Sequence, residues 1–314
     1  MTMALYISSA IVFVLILTFL TSYISYRLAF FVKKDKRKPN YALPDEEQYR
    51  PHQGAFADML AYVLALPYED VFVTSRDGFR LHGKYYHTAD GAPVRIMFHG
   101  YRSSPEKDFC GGVRLAVEAG HNVLLVDQRA HGQSEGRCLT FGVLERFDCL
   151  SWTKYVVTRF GADTKIILCG MSMGAATVLM ATALALPDNV VGVIADCGYS
   201  SPCGIIRKVL RDMRPPLSFM YPFLRIGGIL LGKFDIEAAS AAQAMATCRI
   251  PVLFIHGEDD RFVPCDMGRK DFELCAAKDK MFLIVSGAGH GLSFMVDEKA
   301  CTAAIRDFLA RLPL

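Results

Sequence analysis

The sequence contains one tryptophan, no Cys-x-x-Cys pair, no basic stripe and, from Met1 to Tyr26, no charged side chain. Without paired cysteines a zinc ribbon is excluded. Residues 27–38 carry a net charge of +5 and residues 39–314 carry −2, so the +3 total comes from a short basic segment. A slightly acidic body without a basic stripe argues against nucleic acid as a partner. The 314 residues are 52% hydrophobic, which excludes a disordered chain and fits one large domain or two small ones.

Ten cysteines are spread along the body, several of them within apolar runs, as Cys169 is in Ile-Ile-Leu-Cys. A thiol in such a run packs as a small hydrophobic group. We expect mostly free thiols and a reducing compartment, because disulfides follow the redox environment. The ten are Cys110, Cys138, Cys149, Cys169, Cys197, Cys203, Cys248, Cys265, Cys275 and Cys301.

The apolar segment from Ala4 to Tyr26 is long enough to cross a bilayer as a helix. A cleaved secretory signal is the alternative, but it would begin with basic residues and end in small residues before a cut. We therefore expect an uncleaved transmembrane anchor over residues 1–32. The basic cluster follows the apolar segment, and the positive-inside rule then predicts a single-pass cell-membrane protein with its large domain in the cytoplasm. Residues 33–67 are expected to form a basic flank, a linker and a lead-in helix.

Past the linker, short β-type runs alternate with helical stretches, which predicts an α/β fold with a mostly parallel sheet flanked by helices over residues 68–314. A hairpin is expected first, from Val71–Ser75 and Arg80–His87 around a turn at Asp77-Gly78. The further predicted strands are Val94–Phe98, Asn122–Asp127, Thr164–Cys169, Val190–Asp196, Pro251–His256 and Met281–Val285. The predicted helices are Phe109–Ala119, Leu144–Phe160, Gly174–Leu186, Cys265–Ala277 and Asp297–Leu312.

The gap between the strands at Val190 and Pro251 is long and unusually apolar, with a helical lid insertion expected at about residues 203–234. A surface excursion of this kind needs a partner, which could be a cleft that it covers, a lipid surface or the rest of the fold. A pair of ordinary packing helices is an equally good interpretation, and both stay open at this point.

Gly170-Met-Ser172-Met-Gly174 matches the Gly-x-Ser-x-Gly nucleophile elbow, in which a serine sits on a sharp strand-to-helix turn. A second match, Gly132-Gln-Ser134-Glu-Gly136, lies in a polar loop several residues beyond its strand. Only Ser172 directly follows a predicted strand and precedes a predicted helix. We therefore predict Ser172 as the nucleophile and Ser134 as a loop residue.

A serine hydroxyl needs a base, and the base needs an orienting acid. His290 lies in the glycine-rich loop after the last predicted strand and is the preferred base. The other histidines considered are His99 and His256, at strand ends, and His131, in the polar loop.

The loop after the Pro251 strand offers three carboxylates, Glu258, Asp259 and Asp260, of which Asp260 is preferred as the acid. Asp196, at the end of the preceding strand, is a rival, since an acid at that edge could also reach the imidazole. The expected oxyanion donors are the backbone N–H groups of Met173, after the nucleophile, and of Tyr101, after the strand that ends at Phe98.

These motifs, in the order nucleophile, acid, base, resemble the alpha/beta-hydrolase superfamily over about residues 68–312. The chain looks closest to a bacterial group that often carries an N-terminal membrane segment, marked here by Asp127-Gln-Arg-Ala-His-Gly-Gln-Ser-Glu-Gly136 and Ala195-Asp-Cys-Gly-Tyr-Ser-Ser201. That group is similar to eukaryotic membrane-anchored hydrolases, including thioesterases that remove palmitoyl groups. The resemblance implies that Asp127, Arg129 and His131 hold their loop by hydrogen bonds.

The predicted function is a membrane-anchored serine hydrolase that cleaves carboxylic esters or thioesters of small-molecule or lipid-like acyl substrates, without metal or cofactor. A serine peptidase on the same fold is the alternative, and it would need an acid for a free amine, for which Glu145, Asp212 and Glu237 are available. A non-catalytic membrane-bound scaffold ranks last, because all three triad residue types are present.

Overall fold

The structure, a computed structural model, describes residues 2–33, 39 and 41–314. Eight strands form one sheet in the order β1-β2-β4-β3-β5-β6-β7-β8. Strands β3 to β8 run parallel to one another, whereas β2 pairs antiparallel with both β1 and β4. The strands are β1 Glu69–Thr74, β2 Arg80–Tyr86, β3 Val94–Phe98, β4 Asn122–Val126, β5 Ile166–Met171, β6 Val190–Asp196, β7 Val252–Gly257 and β8 Lys280–Val285.

Twelve α-helices lie in the part of the chain that the structure describes. They are α1 Thr2–Ala29, α2 Gln53–Ala65, α3 Pro105–Asp108, α4 Cys110–Glu118, α5 Glu145–Phe160, α6 Met173–Ala181, α7 Pro202–Asp212, α8 Tyr221–Gly227, α9 Ala241–Met245, α10 Cys265–Leu274, α11 Ser293–Val296 and α12 Glu298–Ala310. The prediction of a mostly parallel sheet flanked by helices is confirmed.

The differences from the predicted elements are local. The helix predicted over Gly174–Leu186 begins at Met173 and ends at Ala181, because Thr182 to Leu184 turn away from the helix through i→i−3 backbone bonds. Three short helices, α3, α9 and α11, have too few residues for a helical repeat to be visible in the sequence.

The sheet separates two apolar layers, and side-chain alternation along β3 illustrates how. Ile96 and Phe98 face a layer built mainly from α5 and α6, which contains the fully buried Trp152. Met97 faces the opposite layer, which α2, α4 and α12 cover. Because side chains along a strand alternate between its two faces, the second layer also receives Arg95. The functional pocket described below lies in this second layer.

The first part of α1 lies outside the body of the protein, and its C-terminal end packs against the body. Met3–Ala29 has a mean hydropathy of 2.5, and none of its most apolar window is buried in the protein. Its last turns are different, since Ser22 and Tyr26 are buried, as is Phe30 just after the helix. Phe30 makes edge-to-face contacts with Phe141 and Phe234, at centroid distances of 5.8 and 5.1 Å. The end of α1 is therefore part of the hydrophobic core rather than a free tether.

Residues 31–33 continue this attachment. The Val32 backbone N–H donates to the carbonyl oxygen of Arg137 at 2.9 Å, and the Leu139 N–H donates to that of Phe30 at 3.0 Å. Lys34 to Lys38, which form most of the predicted basic flank, lie outside the described residues.

The apolar insertion packs against the end of α1. Gly227 in α8 approaches α1 so closely that a Cβ there would lie 2.5 Å from the Ser22 carbonyl oxygen. Phe219, Ile229 and Leu230 of the same insertion are exposed, at 66%, 45% and 60%. The insertion therefore packs against the end of α1 and also carries exposed apolar side chains.

The loop that follows β4 is held by polar contacts. The Asp127 carboxylate lies 2.7 Å from His82 Nδ1 and accepts from the Gln133 backbone N–H at 2.9 Å. The Arg129 guanidinium donates to both Asp148 carboxylate oxygens at 2.6 Å, and both side chains are only 3% exposed. These contacts agree with the structural role that the resemblance implies.

We predict that Arg129→Met lowers the free energy of unfolding by about 3–5 kcal/mol, because it leaves the Asp148 carboxylate buried without its partner. Replacing both residues, as Arg129→Met with Asp148→Leu, should restore most of the loss. The measurement is urea unfolding of the full chain in detergent. Arg311→Met, which removes an exposed pair with Asp307, is the control and should cost less than about 1 kcal/mol. A single Arg129 variant as stable as that control would contradict the prediction.

Candidate active site

Ser172 occupies the turn between β5 and α6 in a conformation that few side chains adopt. Its φ of 53° and ψ of −112° lie in a sparsely populated region, the backbone strain expected of a nucleophile elbow. The two flanking glycines make the turn possible. A Cβ at Gly170 would lie 2.3 Å from the Gly174 carbonyl oxygen, and one at Gly174 would lie 1.7 Å from the Phe98 carbonyl oxygen.

The three residues predicted as nucleophile, base and acid are brought together. His290 Nε2 lies 2.9 Å from Ser172 Oγ, and His290 Nδ1 lies 2.7 Å from Asp260 Oδ2. Both are hydrogen-bond distances, and the order is that of a Ser-His-Asp triad. The ring of Phe262 packs edge-on against His290 at 5.1 Å between centroids, which helps to fix the imidazole.

Asp260 is held as a carboxylate by its surroundings. Its Oδ1 accepts from the backbone N–H groups of Phe262 and Val263, at 2.9 and 2.8 Å. Burial acts to raise the pKa of Asp260, but the contacts with His256 and His290 outweigh it and lower the pKa to about 2. The two alternatives in the same loop, Glu258 and Asp259, point to solvent.

Asp196, the rival acid, lies near the site without bonding to the imidazole. Its Oδ1 accepts from Ser293 Oγ at 3.3 Å. Burial raises the pKa of Asp196 to about 6, against the opposing influence of His256 and His290. An acid with a raised pKa and no contact with His290 is poorly suited to hold that ring.

The remaining candidates have structural positions. His99 Nε2 accepts from the Gln128 backbone N–H at 3.2 Å, and His131 Nε2 accepts from that of Arg102 at 3.1 Å. His256 donates from Nε2 to the Val263 carbonyl oxygen at 2.9 Å. Ser134 is fully buried, and its hydroxyl donates to the Asp127 carbonyl oxygen.

The two residues predicted to supply oxyanion donors flank Ser172. Met173 begins α6 directly after it. Tyr101 lies in the loop after β3 and lines the same pocket as Ser172. A Cβ at Gly100 would lie 3.4 Å from Ser172 Cβ, so this loop passes against the nucleophile. The Tyr101 hydroxyl donates to the Ala29 carbonyl oxygen at 2.9 Å.

A cavity of about 320 Å³ extends from Ser172 into the second apolar layer. Its floor is formed by side chains of the central strands, and its walls by α4, α11 and α12. The lining is mainly apolar and sulfur-containing, with Met97, Cys110, Cys169, Ile194, Ile255, Phe294, Met295, Cys301 and Ile305. Among the described residues that line it, none lies within 203–234, so the insertion is not the lid of this cavity.

The cover comes instead from residues 41–56, which we name the cover segment. Leu43, Pro44, Tyr49 and Phe56 line the cavity. The Tyr49 hydroxyl donates to the His290 carbonyl oxygen at 3.0 Å, which fastens the cover segment to the loop that carries the base. The sequence predicts a linker here, because the stretch is polar and contains Pro44 and Pro51. The apolar Leu43 and Phe56 within it are the sequence features that indicate contact with the body.

One group of metal-ligand type is found among the described residues, and it overlaps the triad. The donor atoms of Cys197, Asp260 and His290 lie within 4.8 Å of one another. Burial raises the pKa of the Cys197 thiol well above its ordinary value, so it is protonated, and the other two side chains are already hydrogen-bonded. This chemistry does not favour a metal.

The family model for the alpha/beta hydrolase fold matches residues 93–225, and solved structures of the same architecture cover most of the chain. The chain therefore has the alpha/beta-hydrolase fold. The esterase Pf2001 of Pyrococcus furiosus is similar, with a TM-score of 0.67 and 19% identity over 90% of this chain and 98% of that one. Est1E from Butyrivibrio proteoclasticus, in a structure with ferulic acid, has a TM-score of 0.57 and 19% identity, over 76% and 98% of the two chains.

Sequence relatives of this chain occur in bacteria and eukaryotes. Protein YqkD of Bacillus subtilis is 25% identical over 241 residues, which cover 76% of this chain and 77% of the relative. Protein bem46 of Schizosaccharomyces pombe is 24% identical over 256 residues, covering 78% and 77%. The resemblance to the superfamily is thereby confirmed.

The different environments of the two acids lead to a prediction. Asp260→Asn should slow the reaction of Ser172 with a fluorophosphonate probe by about 10³–10⁴-fold, because the amide no longer fixes the imidazole in the tautomer that accepts the serine proton. Asp196→Asn is the matched control and should change the rate less than tenfold. The measurement is labelling rate on intact protein, checked by mass spectrometry. Equal losses in the two variants would contradict the choice of Asp260, and a larger loss in Asp196→Asn would reverse it.

Proposed function

We propose that this alpha/beta hydrolase is a serine hydrolase of carboxylic esters or thioesters. The observation that carries the proposal is the continuous Ser172–His290–Asp260 hydrogen-bonded array at the mouth of an apolar cavity. The array provides what this reaction needs, because a serine attacks an acyl carbon only when a positioned base removes its proton.

The proposed reaction proceeds through an acyl-enzyme. Ser172 Oγ attacks the acyl carbon while His290 Nε2 takes its proton, and the backbone N–H groups of Met173 and Tyr101 stabilise the oxyanion. His290 then donates the proton to the leaving alcohol or thiol as its bond to the acyl carbon breaks. Water, deprotonated by His290, attacks the acyl-serine and releases the acid. Asp260, ionised at neutral pH, stabilises the imidazolium at both stages.

The character of the cavity supports an acyl group of medium length as substrate. Its lining is mainly aliphatic, aromatic and sulfur-containing, as expected for a pocket that binds an apolar chain. One of the similar solved structures is the esterase Pf2001, and another is Est1E with ferulic acid bound.

The three carboxylates that the peptidase alternative considers are engaged away from the cavity. Glu145 is buried and accepts from the backbone N–H groups of Thr140 and Gly142. Asp212 pairs with Lys208, and Glu237 accepts from the Tyr221 hydroxyl. None of these three carboxylates is among the described residues that line the cavity.

We further propose that α1 anchors the protein in the cell membrane with the hydrolase body in the cytoplasm. The support is its length, its hydropathy and the absence of buried residues in its most apolar window. The exposed Phe219, Ile229 and Leu230 lie in the insertion that seats α1, where a bilayer would cover them. A cleaved signal fits this architecture less well, because removal of α1 would also remove Phe30 and Tyr26 from the core.

We predict that Ser172→Ala abolishes hydrolysis of p-nitrophenyl esters, a loss of about 10⁶-fold in kcat. The assay uses the full chain in detergent and acyl chains from acetyl to palmitoyl, because a truncation before residue 40 would expose the apolar seat of α1. The chain-length optimum then reports how much of the cavity an acyl group fills.

Ser134→Ala is the matched control for this panel. It should retain activity within a few-fold, although loss of the buried hydroxyl costs about 1–3 kcal/mol of stability. Aminoacyl-nitroanilides run beside the esters. Turnover of the anilides alone would replace the proposed function by peptidase activity, and no turnover together with no fluorophosphonate labelling of Ser172 would favour a scaffold.

The membrane proposal predicts that the chain stays in the membrane fraction after alkaline carbonate washing. Protease added to intact cells should leave the body uncut, whereas protease added to inverted vesicles should digest it. The physical reason is that the basic cluster after α1 stays on the cytoplasmic side. Digestion in intact cells would reverse the orientation.

A pair of charge substitutions provides the control for anchoring. Leu15→Lys with Phe19→Lys places two cations in the middle of α1, at an insertion cost of about 2.5–3.5 kcal/mol each. We expect this variant to be extracted by carbonate. Leu64→Lys with Leu274→Lys, two exposed leucines of the body, should leave extraction unchanged. Equal behaviour of both variants would contradict the anchor.

A further inference from the structure

An arginine is buried in the wall of the cavity, where an apolar residue would be expected. Arg95, in β3, is 2% exposed and lines the same cavity as Ser172. It lies on the face of β3 that carries Met97, another cavity residue. A buried guanidinium is normally paired with a carboxylate, because the unpaired charge is costly to desolvate.

Among the described residues, no carboxylate pairs with Arg95. In the described ranges 2–33, 39 and 41–314, no acidic side chain lies within ion-pair distance of it. Its Nε donates to His121 Nδ1 at 3.1 Å. Burial and the charge of Arg95 lower the pKa of His121 to about 4, so this ring is neutral at pH 7.

The thiols around the cavity do not compensate the charge either. Burial raises the pKa of Cys169, the neighbour that interacts electrostatically with Arg95, to about 11. Burial likewise raises the pKa of Cys110 to about 11 and that of Cys301 to about 12. All three are neutral at pH 7. Arg95 is therefore a buried positive charge for which the described residues supply no counter-ion. The other charged residues of the lining lie at the edge of the sheet where Ser172 lies, with Arg102, Lys107 and Asp108 after β3 and Asp196 at the end of β6.

The position of Arg95 relative to Ser172 defines the shape of a ligand that would use both. Arg95 pairs with Ile167 in the register of β3 and β5, and Ser172 follows Ile167 by five residues, directly after the end of β5. At about 3.3 Å per residue, the two positions are about 16 Å apart along the strand direction. With C–C bonds of about 1.5 Å and the reach of the arginine side chain, an extended chain of about 8–12 carbons spans this distance.

We propose that Arg95 forms an anion-binding subsite at the inner end of the cavity, and that the acyl group accepted by this protein ends in a carboxylate. The substrates are then esters or thioesters of dicarboxylic acids, with one carboxyl group esterified at Ser172 and the other free at Arg95. This proposal rests on the proposed function, in which Ser172 attacks the acyl carbon. A charge-assisted hydrogen bond in a dry apolar site gives the free carboxylate its selectivity.

The test compares p-nitrophenyl half esters of the 6-, 8-, 10- and 12-carbon dicarboxylic acids with p-nitrophenyl esters of the monocarboxylic acids of equal length. It uses the full chain in detergent. At the best length we expect the half ester to have at least a tenfold higher kcat/KM. Arg95→Met should lower this ratio to one or below, and Arg95→Lys should retain part of it. Equal kcat/KM values for the two series in the wild type would overturn the proposal.

Arg146→Met is the matched control, since Arg146 is a partly buried arginine on α5, in the opposite layer. It should leave the ratio unchanged. An equal fall of the ratio in the Arg95 and Arg146 variants would also overturn the subsite, because the effect would then be non-specific. Arg95→Met should fold, since replacing an unpaired buried charge by an apolar side chain is neutral or stabilising.

A binding measurement separates failure of this subsite from failure of the proposed function. The probes are octanedioate and octanoate, added to Ser172→Ala and followed by thermal unfolding. Octanedioate should raise the midpoint more than octanoate does, and Arg95→Met in the same background should remove the difference. If no ester is hydrolysed but this difference appears, the proposed reaction fails and the subsite stands. If esters are hydrolysed and the difference is absent, the subsite fails alone.

Discussion

The close approach of α6 to the end of β3 is the constraint on which the site depends. Gly174 lies against the Phe98 carbonyl oxygen with no room for a side chain, and this contact holds Ser172 at a positive φ between strand and helix. The same approach brings the loop after β3 beside the nucleophile, so the predicted oxyanion donors and the serine are set by one packing contact. The backbone strain at Ser172 persists because β3, β5 and α6 are all buried around it.

A second constraint ties the N-terminal segment to this same loop. The Tyr101 hydroxyl and the Arg102 guanidinium donate to carbonyl oxygens of Ala29 and Leu28 at the end of α1. In the cover segment, the Tyr49 hydroxyl donates to the carbonyl oxygen of His290. Two parts of the N-terminal region, the end of α1 and the cover segment, therefore contact the loops on the two sides of Ser172.

The sequence was sufficient for features that depend on local pattern. The strand-turn-helix context in the sequence distinguishes Ser172 from Ser134. For the acid, the sequence favours Asp260, but its burial and the exposure of Glu258 and Asp259 are visible only in the structure. What the sequence could not supply were long-range partners. The insertion at 203–234 and the polar stretch after α1 both contain apolar residues that could cover a cavity. The insertion instead packs against the end of α1, and this long-range contact cannot be read from local sequence. Similarly, Arg95 stands in an ordinary β-type run, and only the fold places it at a cavity with neutral neighbours.

The two layers of the sheet explain why the cavity lies on one face. The layer under α5 and α6 is filled by large side chains, among them the fully buried Trp152, Phe98 and Ile96. On the other face, α4 opens with Cys110-Gly111-Gly112, and the ring of Phe294 occupies the space beside Gly111. Gly111, Gly112 and Phe294 all line the cavity, a volume that the protein itself does not fill. A charge at the inner end of that volume lowers stability in the empty protein, and a ligand that neutralises it would regain this free energy on binding. The cavity and the buried arginine are thus best understood together, as one site with an apolar middle and a polar group at each end.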